Sequence, residues 1–302
     1  NTIQLYRTDR LEFLKKSHAE AKEKGYFDKQ GLHVQITTFK SSGVALTAPL
    51  VSGELDVGGG NYTSGLFNSI LQGADVQLVA DKGSLSKGHE YLALLVRADH
   101  LASGRFKELK DLKGFKMGLT ALNGVSQEIL AERYLAKAGL KASDVTFLKM
   151  SYSDMNAAFA SKTLDATIQL EPYITVAEQK GLARRFGSAC DVYCGQQSAG
   201  IFYSKKFAKE RRADAIKFMI AYLLGVRDYL AAFDSGVKRD EISTILNKYV
   251  EVERPEMWKS MIPVGLNPDG YIDQVALASD LNWYRQKNYL PDGGGVSSFV
   301  NH

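Results

Sequence analysis

The sequence lacks the features that mark membrane-spanning, nucleic-acid-binding and metal-binding proteins. Its most apolar long stretch, residues 215–233, is interrupted by Lys217, Arg227 and Asp228 and therefore predicts an amphipathic helix instead of a membrane span. Its 38 Lys and Arg are interspersed with 34 Asp and Glu, and this mixture argues against a nucleic-acid partner. The histidines are scattered without the paired spacing of metal ligands, so we expect no metal site.

Motifs for nucleophilic catalysis are also missing, and we expect a protein that is not an enzyme and carries no cofactor. Ser126 follows a glycine by two residues, but Glu128 stands where a nucleophile elbow requires a second glycine. The cysteines, Cys190 and Cys194, have neither zinc nor thioredoxin spacing. They can form a local disulfide in an oxidising compartment, which we favour over two separate thiols if the protein is exported.

The start of the sequence suggests export. The chain begins at Asn1 without Met and enters the strand "TIQLY" within two residues, as a processed export product or a trimmed chain would. We therefore expect a periplasmic protein whose signal peptide has been removed, and we leave attachment to the membrane as a lipoprotein open.

Strands and helices alternate along most of the chain, which predicts an α/β fold with mainly parallel sheets flanked by helices. The strands "TIQLY", "HVQITTF" and "LDVGG" form a first series, and "LKGFKMGLT", "DVTFLKM" and "LDATIQL" form a second. The segments "APLVSGELDVGG" and "AAFASKTLDATI" are similar and place Asp56 and Asp165 at equivalent positions. The rest of the chain is mostly helical.

This internal similarity predicts two lobes. We expect residues 1–97 and 204–302 to form lobe one, with the helical tail packed on it, and residues 98–203 to form lobe two. The two crossings are expected near residues 96–104 and 197–204.

Three loops after predicted strands combine small and polar residues with a helix start. Free N–H groups and the helix dipole favour an anion at such a place. Each loop alone is more often a simple N-cap, but three at matched strand ends favour ligand contact. The residues are Ser41, Ser42 and Gly43; Gly60, Asn61 and Tyr62; and Asn123, Gly124, Val125 and Ser126.

Other loops at strand ends add candidates for ligand contact. Arg10 can pair bidentately with a carboxylate or sulfonate, and Glu171 can receive a ligand amine or bridge to an arginine. Tyr62, Tyr152 and Tyr173 can stack on a planar ligand. The candidates from these loops are Thr8, Arg10, Asp81, Lys82, Tyr152, Glu171 and Tyr173.

An ordered set of segments resembles one family along the whole chain. "GYFDKQGLHVQI", "LVSGELDVGGG", "DLKGFKMGL", "FASKTLDATIQLEPY", "FYSKKFA" and "LNPDGYID" are similar to the solute-binding proteins of ABC importers, in the cluster serving nitrate, sulfonates, taurine, bicarbonate and thiamine-precursor pyrimidines. The resemblance implies a type II periplasmic-binding-protein fold, a ligand cleft between lobes, hinge closure and a membrane permease as partner. Several relatives carry a Trp in the cleft, whereas Trp258 and Trp283 lie in the tail, which argues against a nitrate- or taurine-like pocket.

From the loops and the resemblance we expect a monomer that captures a small organic anion, namely a carboxylate, aromatic acid or sulfonate. The alternative is a neutral heterocycle such as a thiamine-precursor pyrimidine. A remote alternative is an NAD(P)-dependent oxidoreductase, because Gly58, Gly60 and Asp81 resemble a dinucleotide fingerprint, although Thr63 replaces its third small residue.

Overall fold

The computed structural model describes residues 2–8, 21–39, 46–247 and 255–301. The chain divides into two compact units. Unit one comprises Asn1–Ser84, Gln197–Trp258 and Leu266–His302, and unit two comprises Leu85–Gln196 and Lys259–Gly265. In the described part of the chain, none of the helices has both the length and the apolar character needed to cross a bilayer.

Unit one is built on a mixed five-stranded sheet in the order β2-β1-β3-β10-β4. Its strands are β1 Thr2–Thr8, β2 His33–Phe39, β3 Val57–Asn61, β4 Val76–Ser84 and β10 Gln197–Ser204. β1 pairs in parallel with β2 and β3, whereas β10 runs antiparallel to both β3 and β4.

The described helices of unit one cover this sheet. They are α1 Tyr26–Lys29, α2 Thr47–Ser52, α3 Ser64–Leu71, α9 Arg212–Ser235, α10 Arg239–Asn247 and α11 Gln274–Gln286. The long helix α9 buries Phe218 and Tyr222 in one apolar cluster with Ile3 of β1 and Val57 of β3. The apolar helical tail thus packs on the sheet of its own unit, because these large side chains would otherwise face water.

Unit two has a second mixed sheet, in the order β7-β6-β8-β5-β9. Its strands are β5 Leu92–Arg97, β6 Lys116–Leu119, β7 Thr146–Lys149, β8 Ala166–Leu170 and β9 Ala183–Arg185. Its helices are α4 Ala98–Ala102, α5 Ser126–Lys137, α6 Tyr152–Ala160, α7 Tyr173–Gln179 and α8 Cys190–Tyr193. β5 and β8 are buried along their whole length.

The two sheets share one topology, and this confirms the α/β fold with its internal repeat. In unit one β1 lies between β2 and β3, and in unit two β6 lies between β7 and β8. On its other side, β3 pairs with the antiparallel strand β10, and β8 pairs with the antiparallel strand β5. The antiparallel strands are β5 and β10, and each is the first strand along the chain after it passes from one unit into the other. The sheets are therefore mixed instead of mainly parallel.

The predicted boundaries of lobe two are shifted. The first boundary lies between Ser84 and Leu85, not at residues 97 and 98, because β5 pairs with β8 and β9. The second lies between Gln196 and Gln197, not at residues 203 and 204, because β10 pairs with β3 and β4. Residues 259–265 also belong to unit two, so the tail is not confined to unit one.

The repeated aspartates perform the same task in both units. Asp56 precedes β3 and accepts a hydrogen bond from the Gln4 amide in β1 at 2.9 Å, and Asp165 precedes β8 and accepts one from the Lys116 amide in β6 at 3.0 Å. Each aspartate amide in turn donates to the carbonyl of the same partner, at 3.1 Å for Asp56 and 3.0 Å for Asp165. Each aspartate thus ties its central strand to the neighbouring strand.

Both aspartates are paired with cations of their own unit. Arg211 lies 3.0 Å from Asp56. Asp165 has the Arg97 guanidinium at 3.3 Å and the His100 imidazole at 2.7 Å, and both side chains are almost fully buried. Burial alone would raise the pKa of Asp165, but the Lys116 amide, His100 and Arg97 favour its charged form, so the pKa of this carboxyl is lowered.

We predict that Asp165→Ala lowers the free energy of unfolding by about 1–3 kcal/mol, because His100 and the Lys116 amide lose their acceptor, while Arg97 keeps Asp99 and the carbonyls of Lys162 and Leu164. Urea denaturation followed by circular dichroism measures this change. Glu54→Ala, at an exposed position, is the control and should leave stability unchanged. An Asp165→Ala protein as stable as the parent would contradict this role.

Candidate functional site

The glycine stretch at the end of β3 lies inside the sheet and does not form an open loop. Gly58 pairs with Phe202 and Tyr6, and Gly60 pairs with Gly200. A side chain at position 58 would lie 2.9 Å from Leu50, so close packing explains this glycine. Gly60 pairs with Gly200 of β10, whereas the pairing of β3 with β1 ends at Gly59, so the anion site expected around Gly60 stays a prediction.

The helix that follows this strand, α3, is capped at its N-terminus by a neighbouring side chain. Thr63 is the N-cap of α3, and its hydroxyl accepts a hydrogen bond from the Leu66 amide at 3.2 Å. The Tyr62 amide donates to the Ser198 carbonyl at 3.1 Å. The Tyr62 ring is fully buried between Phe67 and Phe202, so it packs in the core of unit one and offers no face for stacking.

Asp81 and Lys82 lie within β4, whereas the sequence analysis expected them in a loop after it. The Asp81 carboxylate is buried and accepts hydrogen bonds from the amides of Gly83 and Asn267, each at 2.8 Å. Burial raises the pKa of Asp81 to about 7, although these donors favour its charged form. Asp81 therefore fixes the turn at Asn267 to β4.

In unit two the predicted loop before α5 is present, but some of its backbone amides already donate hydrogen bonds to side chains of α5. The Gly124 amide donates to the buried Glu128 carboxylate at 2.8 Å, and the Thr120 amide donates to Gln127 Oε1 at 2.7 Å. Val125 is the N-cap residue and provides no side-chain cap. Asn123, at φ 69°, and Gly124, at φ 107°, are left-handed and form the bend. A buried carboxylate thus stands where an anion was expected.

Three buried amide oxygens near the predicted strand ends have no hydrogen-bond partner among the described residues. In unit one these are Asn61 Oδ1 and Gln197 Oε1, and in unit two it is Gln196 Oε1. Asn61 pairs with Ala199, two residues from Gln197. Gln196 Nε2 donates to the carbonyl of Ser126 at 2.7 Å, at the start of α5. Buried acceptors of this kind are costly unless a donor reaches them.

Tyr152 and Tyr173 come together in unit two. They are the first residues of α6 and α7, and their rings stack with centroids 6.0 Å apart and planes 18° apart. Tyr173 also lines a mostly apolar groove of about 430 Å³ with Asn156, Val176 and Lys180. The half-buried Tyr173 therefore presents part of its ring to this groove, while Tyr152 is buried behind it.

Glu171 takes the second of its two predicted roles, the bridge to an arginine. Its fully buried carboxylate accepts from the Thr175 amide at 3.1 Å and hydroxyl at 2.8 Å, from Arg185 at 2.9 Å and from the Ile262 amide at 3.4 Å. Burial raises the pKa of Glu171, and Arg185 opposes that rise. Four donors occupy its acceptor positions, which leaves no room for a ligand amine.

The remaining candidates fall into two groups. Arg10, Ser41, Ser42 and Gly43 lie outside the described residues, and Thr8 is described only by its backbone, as the last residue of β1. The sulfurs of Cys190 and Cys194 lie 2.14 Å apart, at bonding distance. No group of three or more His, Cys, Asp or Glu within the described ranges could hold a metal ion.

The sequence analysis missed several residues that shape these strand ends. Gln196 and Gln197 stand at the crossing between units, where "GQQSAG" offers two adjacent amides as a signal. Glu128 was considered only as a departure from a catalytic motif. Arg185 has no local signal, since its partner Glu171 is identified only by the pairing of distant elements.

We predict that Glu171→Ala lowers the free energy of unfolding by about 3–5 kcal/mol, because Arg185 and the Ile262 amide lose a buried partner. Urea denaturation measures it, with Glu54→Ala, at an exposed position, as the control for loss of a carboxylate. A variant of unchanged stability that has lost ligand binding would instead place Glu171 at the ligand.

We predict that the stability of the parent falls as pH rises from about 4 to 7 and then levels, through Asp81. The folded protein holds this proton up to pH about 7 and the unfolded chain releases it near 3.8, so the loss amounts to roughly 4 kcal/mol. Denaturation midpoints across this range should fall less steeply in Asp81→Asn. Equal slopes in the two proteins would contradict the role of Asp81.

Comparisons with known proteins agree with this architecture. The model of the family described as NMT1/THI5 like matches residues 19–233. Proteins of Brucella abortus and Brucella suis that are named only as binding proteins are 28% identical over 240 residues, which cover 79% of this chain and 69% of theirs.

Solved structures match over nearly the whole chain. The alkanesulfonate-binding protein SsuA of Xanthomonas axonopodis pv. citri, bound to MOPS, is 20% identical with a TM-score of 0.77, covering 99% of this chain and 98% of that one. The periplasmic nitrate-binding protein NrtA of Synechocystis is 14% identical with a TM-score of 0.70, covering 97% of this chain and 83% of that one. The predicted resemblance is confirmed: the protein belongs to the NMT1/THI5-like family and has the type II periplasmic-binding-protein fold.

Proposed function

We propose that this protein is the solute-binding component of an ABC importer, which captures a small molecule outside the cytoplasm and delivers it to a membrane permease. The observation that carries the proposal is the fold match across 99% of the chain to a binding protein of this kind, joined by the family match. Capture by closure of the units on the solute, without bond chemistry, is part of the proposal. In the oxidising compartment we expect Cys190 and Cys194 to form a disulfide.

The two ligand classes considered from the sequence place different demands on the site. An anion requires donors, whereas a neutral amino heterocycle requires acceptors for its own N–H groups. The amides around Gly60 pair within the sheet, and the Gly124 amide is bound by Glu128. Among the described residues the site therefore offers fewer donors to an anion than the loops suggest.

The acceptors of the candidate site support the heterocycle. Asn61 and Gln197 in unit one, and Gln196 in unit two, each have a buried amide oxygen that no described residue satisfies. The carboxylate of Glu128 adds negative charge at the start of α5. A planar ligand with N–H donors would satisfy such oxygens. We place a neutral, donor-bearing heterocycle first.

The organic anion is the second candidate. Two of the matched structures are named for sulfonate and nitrate binding, and they share the fold at 20% and 14% identity. Arg10 is the group that would pair with such an anion. The oxidoreductase alternative has little support, because Gly58 and Gly60 lie within β3 and pair with Phe202 and Gly200 of β10 instead of forming a phosphate-binding turn.

We predict that Asn61→Asp separates the two classes. The substitution preserves an acceptor in nearly the same shape and adds a negative charge, so a donor-bearing heterocycle should bind within about threefold of the parent affinity, whereas an anion should bind at least about tenfold more weakly. Calorimetry follows a thermal-shift screen of aminopyrimidines, carboxylates and sulfonates, in which a ligand at about a hundred times its Kd adds roughly 2.7 kcal/mol of stability.

Asn282→Asp, at an exposed position on α11, is the matched control and should leave both affinities unchanged. If only carboxylates or sulfonates stabilise the parent and Asn61→Asp abolishes that binding, the anion is the ligand. If no small molecule of either class stabilises it, the proposal of a solute-binding protein for these classes fails.

A further inference from the structure

One face of helix α9 carries apolar side chains that the fold of unit one leaves exposed. Ile216, Ile220 and Leu224 follow one another at intervals of four residues and are 52%, 44% and 37% exposed. This spacing places them in one row along the helix. Their row is separate from the buried row of Phe218 and Tyr222, which packs on the sheet.

The row continues onto a neighbouring segment of the same unit. Arg227 of α9 donates to the Pro268 carbonyl at 3.2 Å and to Asp269 at 2.7 Å, so the turn before α11 rests on the second half of α9. Directly after this turn come Tyr271, which is 60% exposed, and Val275, which is 81% exposed. We call Ile216, Ile220, Leu224, Tyr271 and Val275 the apolar strip.

The strip has opposite charges at its two ends. Arg212 and Lys217 are exposed at the end near Ile216 and form no ion pair or hydrogen bond with any described residue. At the other end lie the exposed acids Asp269 and Asp273. Asp269 is paired with Arg227, so Asp273 carries the net negative charge there.

A groove of about 210 Å³ lies at the basic end of the strip. Ile216, Met219 and Arg212 line it from α9, and Val79 lines it from β4. Such a volume suits one large side chain, and exposed aromatic residues are the usual anchors of protein interfaces. Tyr271, at the opposite end of the strip, is an aromatic side chain of this kind.

We propose that the apolar strip is the contact between two copies of this chain, related by a two-fold axis with the two strips antiparallel, so that the protein forms a reversible dimer in place of the monomer expected from the sequence. In that arrangement the basic end of each strip meets the acidic end of the other, Ile220 and Leu224 meet their counterparts, and Tyr271 of each copy enters the groove beside Ile216 of the other. An isologous contact needs a surface that complements itself when turned by 180°, and a strip with opposite end charges has this property.

The same features argue against the other occupants of an apolar surface. An anionic lipid surface would attract Arg212 and Lys217 but repel Asp273, and a flat bilayer would leave the groove unfilled. A contact of one helix face and one turn is small, so we expect a reversible dimer with a Kd in the micromolar range. The proposal does not depend on the identity of the solute.

Sedimentation velocity over a concentration series tests the proposal on the whole chain. The parent should shift from monomer to dimer, and Ile220→Asp should raise the dimer Kd at least about tenfold by placing two carboxylates at the centre of the contact. Tyr271→Ala should weaken the dimer similarly, and Lys217→Glu should weaken it by removing the attraction between the ends.

Val51→Asp is the matched control, since Val51 on α2 of the same unit is 50% exposed and lies outside the strip. It should dimerise like the parent, and circular dichroism should show all variants folded. A parent that stays monomeric up to about 1 mM would overturn the proposal. So would a dimer that Ile220→Asp and Tyr271→Ala leave unchanged, because its contact would lie elsewhere.

Discussion

The pairing of the central strands is the constraint from which the candidate site follows. β3 lies between β1 and β10, and β8 lies between β6 and β5, so most of the backbone of both strands is paired, although pairing with β1 ends at Gly59 and pairing with β6 ends at Thr167. A ligand at these strand ends therefore meets mainly side chains and the first amides of the following helices. This explains why the polar groups left without partners in the described chain include the amide side chains of Asn61, Gln196 and Gln197.

The buried carboxylates show the same constraint, because hydrogen-bond donors of the protein itself already contact them. Burying a charged carboxylate is expensive unless donors surround it. Asp165 has a backbone amide, an arginine and a histidine, and Glu171 has four donors. Asp81 accepts from two backbone amides and pairs with no cation in the described chain, and full burial raises its pKa to about 7. Asp165 is only partly buried and has donors beside it, and its pKa falls.

What could be predicted from the sequence was local or repeated. The strands β2 and β8, the helix α5 and the paired aspartates Asp56 and Asp165 all follow from patterns within about twenty residues. The first boundary between the units does not follow from such a local pattern, because "YLALLVR" has the same apolar pattern whichever sheet it joins. Only its pairing with β8 and β9 places it in unit two. The pairing of Gly60 with Gly200 could not be predicted for the same reason, since β10 comes from far along the chain.

The C-terminal tail shows how contacts between residues distant in sequence decide the role of a single side chain. Two of its backbone amides bind buried carboxylates, Ile262 that of Glu171 in unit two and Asn267 that of Asp81 in unit one. Both carboxylates looked like ligand-binding groups while their donors, 91 and 186 residues away in sequence, were unknown. Because each unit satisfies a buried acid with this short stretch of tail, the tail is part of both cores. A sequence pattern can identify an acid at a strand end, but whether it meets a ligand or a backbone amide depends on where the rest of the chain returns.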